Sequence, residues 1–205
     1  NLKTEILDWD DATLASVDAV IAGVSRFGEL EFQKMKNLKL LCKTGKGVDS
    51  INLKMAEKYG IIVTNTAGSN ADAVAELAIC FMIAANRNII NRHNKIKEGT
   101  WVKGVPGFEL AGQTVGFLGF GDIAQRTAKR LMNFSVNCLA YDILPNQKKA
   151  LELAVKLVSL EQLLQKVDVL SIHLPNLPET YKFLNRDKFA LLKPGCKLIN
   201  TSRGQ

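Results

Sequence analysis

The chain has 205 residues, of which 47% are apolar and 23% charged, a composition that describes a folded globule and excludes a disordered chain. The longest apolar stretches, such as residues 75–85, fall short of the roughly 20 residues of a membrane-spanning helix. The net charge of +7 is read as a solvated basic face that also favours small anions; its lysines are scattered, without interleaved aromatics or zinc-finger spacing, and nucleic acid is not an expected partner.

Short apolar or β-branched runs recur between helix-like stretches along the whole chain. Strands are expected at residues 18–22, 38–43 and 61–64, and again at 114–119, 136–142, 167–173 and 197–200. Strand alternating with helix predicts an α/β protein with parallel sheets. The second strand runs into the loop Thr44-Gly45-Lys46-Gly47-Val48-Asp49, a helix follows at residues 52–59, and Gly60 ends it. The third strand leads into Asn65-Thr66-Ala67-Gly68-Ser69-Asn70. Asn70 is placed to cap the longest helical pattern, residues 71–97, with Gly99 just beyond its end. The first half of that helix is apolar nearly all round and is expected to be buried; the second half turns polar and basic and is expected to lead out of one lobe toward the next. Residues 99–112, with Pro106, read as a linker. Two lobes follow, with a boundary near residue 98.

Cys42, Cys80, Cys138 and Cys196 are far apart and lack the spacing of a zinc site or redox pair, so reduced thiols and a cytoplasmic setting are expected. With only His93 and His173 in the chain, no metal centre is expected. The start, Asn1-Leu2-Lys3-Thr4-Glu5, has neither the basic nor the apolar region of a signal peptide and no initiator Met, and further sequence upstream is expected.

The most specific signal lies in the second lobe. After the strand at 114–118 comes Gly119-Phe120-Gly121-Asp122-Ile123-Ala124, a Gly-x-Gly-x-x-Ala turn that opens an amphipathic helix. Gly119 permits the tight turn, and Gly121 has no side chain where a diphosphate must approach the backbone. Ala124 still permits close helix–strand packing, and the helix N-terminus offers free N–H donors. The next strand ends in Asp142, 21 residues after Gly121, where an acid binds both ribose hydroxyls of a dinucleotide. That acid repels a 2′-phosphate and no arginine follows it, so NAD is the expected cofactor rather than NADP. Asp122 is the oddity: it sets a carboxylate beside a doubly charged diphosphate, unless it faces solvent and serves the helix dipole.

The order of Thr44-Gly45-Lys46-Gly47-Val48-Asp49, Asn65–Asn70, Val74-Ala75-Glu76-Leu77, Gly99-Thr100-Trp101, the glycine turn, His173-Leu174-Pro175 and Ile199-Asn200-Thr201-Ser202-Arg203-Gly204 resembles the D-isomer-specific 2-hydroxyacid dehydrogenase family over essentially the whole chain, and within it the D-3-phosphoglycerate dehydrogenase branch. The resemblance implies a Rossmann-like doubly wound parallel sheet over 99–205 that binds NAD, and a flavodoxin-like α/β substrate lobe over 1–98, with a homodimer built on the nucleotide domains. The implied reaction is hydride transfer between NAD and C2 of a small anionic 2-hydroxy acid. By motif, Arg203 is the catalytic residue that binds substrate carboxylate and carbonyl, and the amides of Lys46, Gly47 and Val48 cradle the carboxylate. Gly119, Gly121, Asp122, Ile123, Asp142, His173, Leu174, Thr201 and Ser202 face the cofactor. His173 is thereby a cofactor-side residue and not the proton-transfer histidine, and His93 is a solvated residue on its helix.

The resemblance further implies that both lobes are incomplete here. The first strand of the substrate lobe, the last strand of the nucleotide domain, and the family's glutamate and acid–base histidine have no counterpart, so these 205 residues alone are expected not to turn over. The substrate is expected to be 3-phosphoglycerate-like, in serine biosynthesis, although Gly23 stands where an arginine is common in that branch, with Arg26 and Lys43 as possible substitutes. The alternatives are an NAD-sensing binding protein of the corepressor kind and an inactive fragment of the dehydrogenase.

Overall fold

The computed structural model describes residues 10–104 and 106–204. Residues 1–9, with the Asn1–Glu5 start, lie outside it, as do position 105 of the expected linker and residue 205. The chain divides into two compact units, one up to Asn70 and one from Ala71.

The first unit runs α1 (Asp11–Ser16), β1 (Ala19–Ala22), α2 (Glu29–Lys34), β2 (Leu40–Lys43), α3 (Leu53–Lys58) and β3 (Ile62–Asn65). Its strands pair in parallel in the order β1-β2-β3. Leu14, Val20, Phe27, Phe32, Leu41 and Ile61 form its core, with the Phe27 and Phe32 rings stacked 6.4 Å apart. Two of its helices start where the sequence supplies an acceptor: Asp10 caps α1, and the Asn52 side chain accepts the Met55 amide at 3.2 Å to start α3. Because the strands are parallel, the loops after β1, β2 and β3 all leave from the same edge of the sheet.

The second unit begins with α4 (Ala71–Asn86) and α5 (Ile89–Lys97), then alternates β4 (Thr114–Leu118), α6 (Asp122–Leu131), β5 (Asn137–Tyr141), α7 (Gln147–Glu152), β6 (Val155–Leu157), α8 (Leu160–Lys166), β7 (Val169–Ile172), α9 (Arg186–Ala190) and β8 (Lys197–Asn200). All five strands are parallel, ordered β6-β5-β4-β7-β8, so the winding reverses at β4. Val115 and Phe117 of β4 point into the core shared with α4 and α6, while Leu118 points into the opposite core with Leu163, Leu164 and Val167 of the α8 segment. A sheet buried on both faces explains why these strands read as continuous apolar runs.

Two expectations differ from the structure. The pattern over 71–97 is not one helix but two, bent by 68°. Asn88 adopts a left-handed conformation (φ 53°), and the Phe108 amide takes the Asn86 carbonyl at 2.9 Å, ending α4 where its own ladder would continue. Asparagine tolerates that conformation better than most residues. Nor do the compact units part near residue 98. Ala75, Ala78, Ile79 and Met82 of α4 are buried, the last three in one core with Ala124, Ala128 and Leu131 of α6, so the helix groups with the second sheet. Only that stripe of α4 is buried; Leu77 and Phe81 stay exposed. Among the described residues no single helix is long and apolar enough to cross a membrane.

Gly116 lies where α8 crosses β4: a methyl built on it would run into Cγ1 of Val167 and sit 2.9 Å from Cδ1 of Leu163. Gly116→Ala should therefore destabilise the second unit by about 1–3 kcal/mol through overpacking. A lowered urea midpoint with an unchanged slope is the expected result; an unaltered midpoint would mean that α8 gives way freely.

Candidate functional site

The loop leaving β4 is held on both sides. The Gly119 amide donates to the Tyr141 carbonyl at 2.9 Å, and the His173 amide donates to the Leu118 carbonyl at 2.8 Å. The turn thus opens where β5 and β7 separate, the place where doubly wound sheets bind ligands. Gly119 has φ +87°, and a Cβ there would lie 3.1 Å from the His173 carbonyl group and 3.3 Å from Leu174. Gly121 is the N-cap of α6 without a capping side chain, and a Cβ on it would meet nothing within 4 Å. The first-turn amides of Asp122, Ile123 and Ala124 have no intrahelical acceptor and face that open space with the positive end of the helix dipole.

Asp142, at the tip of β5, accepts the Phe120 amide through Oδ2 at 2.7 Å and the Leu144 amide through Oδ1 at 2.9 Å. It therefore fastens the glycine turn to the neighbouring strand. An ionised carboxylate accepts about four hydrogen bonds, which leaves capacity for a vicinal diol. Asp122 does not cap the helix. Its Oδ1 accepts Nε of Arg126 at 2.8 Å, and Arg126 also reaches Oδ2 of Asp72 at 2.5 Å.

Beyond β7, the His173 ring lies 6.0 Å from the Phe117 ring, and its Nε2 is 2.9 Å from Oγ of the buried Ser171. Burial pushes the imidazole down to about 4, which leaves it neutral and a weak base at neutral pH. Beyond β8, the Asn200 side chain shapes the chain: Oδ1 accepts the Ser202 amide (2.9 Å) and hydroxyl (2.8 Å), and Nδ2 donates to the Arg203 carbonyl at 2.7 Å. Arg203 is exposed, with Nη1 donating to the Ser202 carbonyl at 3.0 Å. Oγ1 of Thr201 is buried and has no hydrogen-bond partner among the described residues. The sequence reading missed Asn200. Its signal was an Asn followed by Thr-Ser at a strand's end, a side chain suited to bonding its own backbone two residues on.

In the first unit, two loops knit together past β2 and β3. The Gly45 amide donates to Oγ1 of Thr66 at 2.7 Å, Nδ2 of Asn65 donates to the Lys46 carbonyl at 3.0 Å, and Gly45 has φ +83°. No acceptor among the described residues takes the amides of Lys46, Gly47 or Val48. They form an open row of donors of the kind that binds a carboxylate. Lys43 donates to the Thr44 carbonyl at 2.9 Å, and a Cβ on Gly23 would meet nothing within 4 Å.

These residues fit a dinucleotide. The uncapped helix end, the open space above Gly121, the two-oxygen acceptor at Asp142 and the orphaned Thr201 hydroxyl are the complement of a diphosphate, a ribose and a polar ring substituent. All four cysteines are free thiols, and no group of three or more metal-binding side chains occurs among the described residues.

Residues 79–205 match the family described as D-isomer specific 2-hydroxyacid dehydrogenase, NAD binding domain. The chain is 36% identical over 203 residues to a hydroxypyruvate reductase of Thermotoga maritima, covering 98% of this chain and 61% of that protein. It is 38% identical over 173 residues to a D-3-phosphoglycerate dehydrogenase of Archaeoglobus fulgidus, covering 84% and 33% respectively. A D-lactate dehydrogenase from Aquifex aeolicus, solved with NAD and lactic acid, superposes with a TM-score of 0.84 at 28% identity, covering 97% of this chain and 60% of that one. The chain thus spans less than two thirds of each of these relatives.

Because burial lowers the His173 pKa to about 4 from an unfolded value near 6.5, the neutral form is the one favoured by folding. Its contribution to stability is complete above about pH 6.5 and is lost as pH falls toward 4. An NMR titration of His173 should show an inflection well below the ordinary imidazole value of about 6.5, and His173→Gln should flatten the acid limb of the stability profile. An inflection near 6.5 would overturn the assignment.

Proposed function

This chain belongs to the D-isomer specific 2-hydroxyacid dehydrogenase family, and we propose that it serves an NAD-dependent dehydrogenase that transfers hydride between NAD and C2 of a small 2-hydroxy acid. NAD binding is the property of the family whose NAD binding domain residues 79–205 match. The observation that carries it is the join between the glycine turn and Asp142. One carboxylate fixes the backbone of the diphosphate turn and still has lone pairs for the adenosine ribose.

In this reading Gly119 and Gly121 let the main chain approach the diphosphate, and the amides of Asp122 and Ile123 donate to it. Asp142 selects the 2′-hydroxyl over a 2′-phosphate. His173, Leu174, Thr201 and Ser202 line the cofactor, with Thr201 offering its unpartnered hydroxyl. When bound, NAD supplies the hydride acceptor. Arg203 binds the substrate carboxylate and polarises its carbonyl through a planar fork of donors, and the Asn200-organised turn presents it. In the first unit the amides of Lys46, Gly47 and Val48 bind a carboxylate. His173, neutral and half-buried, orients and packs rather than moving the substrate proton.

The substrate we propose is 3-phosphoglycerate or its close unphosphorylated relatives, in a cytoplasmic homodimer that contributes to serine biosynthesis. The names of the hydroxypyruvate and phosphoglycerate relatives support the class. The four free thiols support a reducing compartment. Lys43 is tied to its own loop and Gly23 is bare, which leaves the exposed Arg26 as the remaining candidate for a phosphate and makes hydroxypyruvate the comparison substrate.

Titration calorimetry should find NAD bound in preference to NADP. Asp142→Ala should weaken NAD roughly ten- to a hundredfold, the loss of hydrogen bonds to a charged acceptor, and narrow its advantage over NADP. Unchanged selectivity would overturn the reading. With the acid–base residues supplied by the whole enzyme, NADH oxidation should proceed with hydroxypyruvate or 3-phosphohydroxypyruvate and collapse in Arg203→Ala. Retained turnover in that variant would remove Arg203 from its role.

A further inference from the structure

We propose that Arg126 is a positioning residue for the cofactor diphosphate: it holds Asp122, the acid at the mouth of the glycine turn, in an ion pair that cancels a charge the diphosphate would otherwise meet. The inference rests on the reading that the diphosphate lies at the N-terminus of α6. A carboxylate at the first position of that helix and a diphosphate compete for the same positive helix end, and they repel each other. Asp122 takes no part in capping; Gly121 is the N-cap, and the Asp122 carboxylate is turned along the helix to Arg126 one turn later, with Oδ1 and Nε 2.8 Å apart.

The arginine is itself anchored. Its Nη1 lies 2.5 Å from Oδ2 of Asp72 in the first turn of α4, and the other oxygen of Asp72 accepts Nη2 of Arg130 at 2.8 Å, which also lies 3.5 Å from Glu76. Arg130 and Arg126 hold the Asp72 carboxyl below its usual range, and Asp122 and Asp72 raise the Arg126 guanidinium further. Arg126 thus faces Asp122 on its own helix and Asp72 on the packed one. The i and i+4 spacing puts Asp122 within reach of Arg126, and the packing of α4 on α6 brings Asp72 to the same guanidinium. If the bridge merely clamped α4 to α6, the Asp72 pairs would suffice and the Asp122 contact would be idle. The Nε donor goes instead to Asp122, the carboxylate in the first turn of α6.

A double-mutant cycle separates the two roles. NAD and adenosine are titrated calorimetrically into the wild type, Arg126→Ala, Asp122→Asn and the double variant, with an unfolding midpoint taken for each. Arg126→Ala should weaken NAD roughly three- to tenfold, the size of a like-charge repulsion across several ångströms in a solvent-exposed setting. Adenosine, which lacks the diphosphate, should be unaffected. The deficit should shrink in about 0.5 M salt, where exposed charges are screened within a few ångströms. Asp122→Asn should restore NAD affinity in the double variant while leaving the lowered unfolding midpoint of Arg126→Ala in place. Equal NAD affinity in wild type and Arg126→Ala, or a double variant as weak as the single one, would overturn the inference in favour of a simple clamp. If Asp142→Ala also leaves NAD affinity unchanged, the assignment of the turn itself fails and the role of Arg126 falls with it. If Asp142→Ala weakens NAD and Arg126→Ala does not, the turn stands and only the role of Arg126 is lost.

Discussion

At the exit of β4 the backbone turns through Gly119 with a positive φ and passes so near the His173 carbonyl that a single methyl would crowd it at 3.1 Å. The second unit is organised around that close approach. It lets β4 hand the chain to α6 without a longer loop, which brings the helix N-terminus level with the ends of β5 and β7. It sets Phe120 where its amide finds Asp142, and it stacks the His173-Leu174 segment directly against the turn. A side chain at 119 would push these apart, and the donors of the first helical turn would no longer converge.

Around that turn, short polar side chains take over the backbone groups that the sheet leaves unpaired. Asp142 satisfies one amide past β4 and one past β5, Asn200 satisfies an amide and a carbonyl past β8, and in the first unit Asn65 with Thr66 do the same for the loops past β2 and β3. Each such bond contributes only about 0.5–1.5 kcal/mol net. Their value is geometric, because they leave selected donors without internal partners: the first turn of α6, and the amides at 46–48. The two units arrive at the same solution independently, since parallel strands deliver their loops to one edge.

Much of this was legible in the residues. The strand at 197–200 falls where the apolar run placed it, β1 to β5 and β7 start or end within two residues of their expected bounds, and the Gly-x-Gly-x-x-Ala turn with its distant Asp142 shows through because Gly119 answers a local steric demand. The three residues of β6 were not legible: Val155-Lys156-Leu157 has too few positions for a period to stand out, and becomes a strand only by pairing with β5. The break of the long helix at Asn88 was equally hidden. Its residues suit a continuous helix, and the interruption comes from the Phe108 amide, twenty positions away.

Local backbone chemistry is what the sequence by itself determined: which residues turn, which strands are apolar on both faces, and that an acid stands at the end of β5. The tertiary structure alone decided where charges meet. Only packing of the alanine face of α4 on α6 brings Asp72 to Arg126, and only that bridge fixes which way Asp122 points. The pairing of Asp122 with Arg126 follows the i and i+4 spacing of one helix, whereas the Asp72 that anchors this arginine comes from a helix about fifty residues away, and no periodicity within one helix records that contact. The same reason moved α4 from the first lobe to the second: pattern reports that a face is apolar, whereas the surface that buries it is settled by the fold.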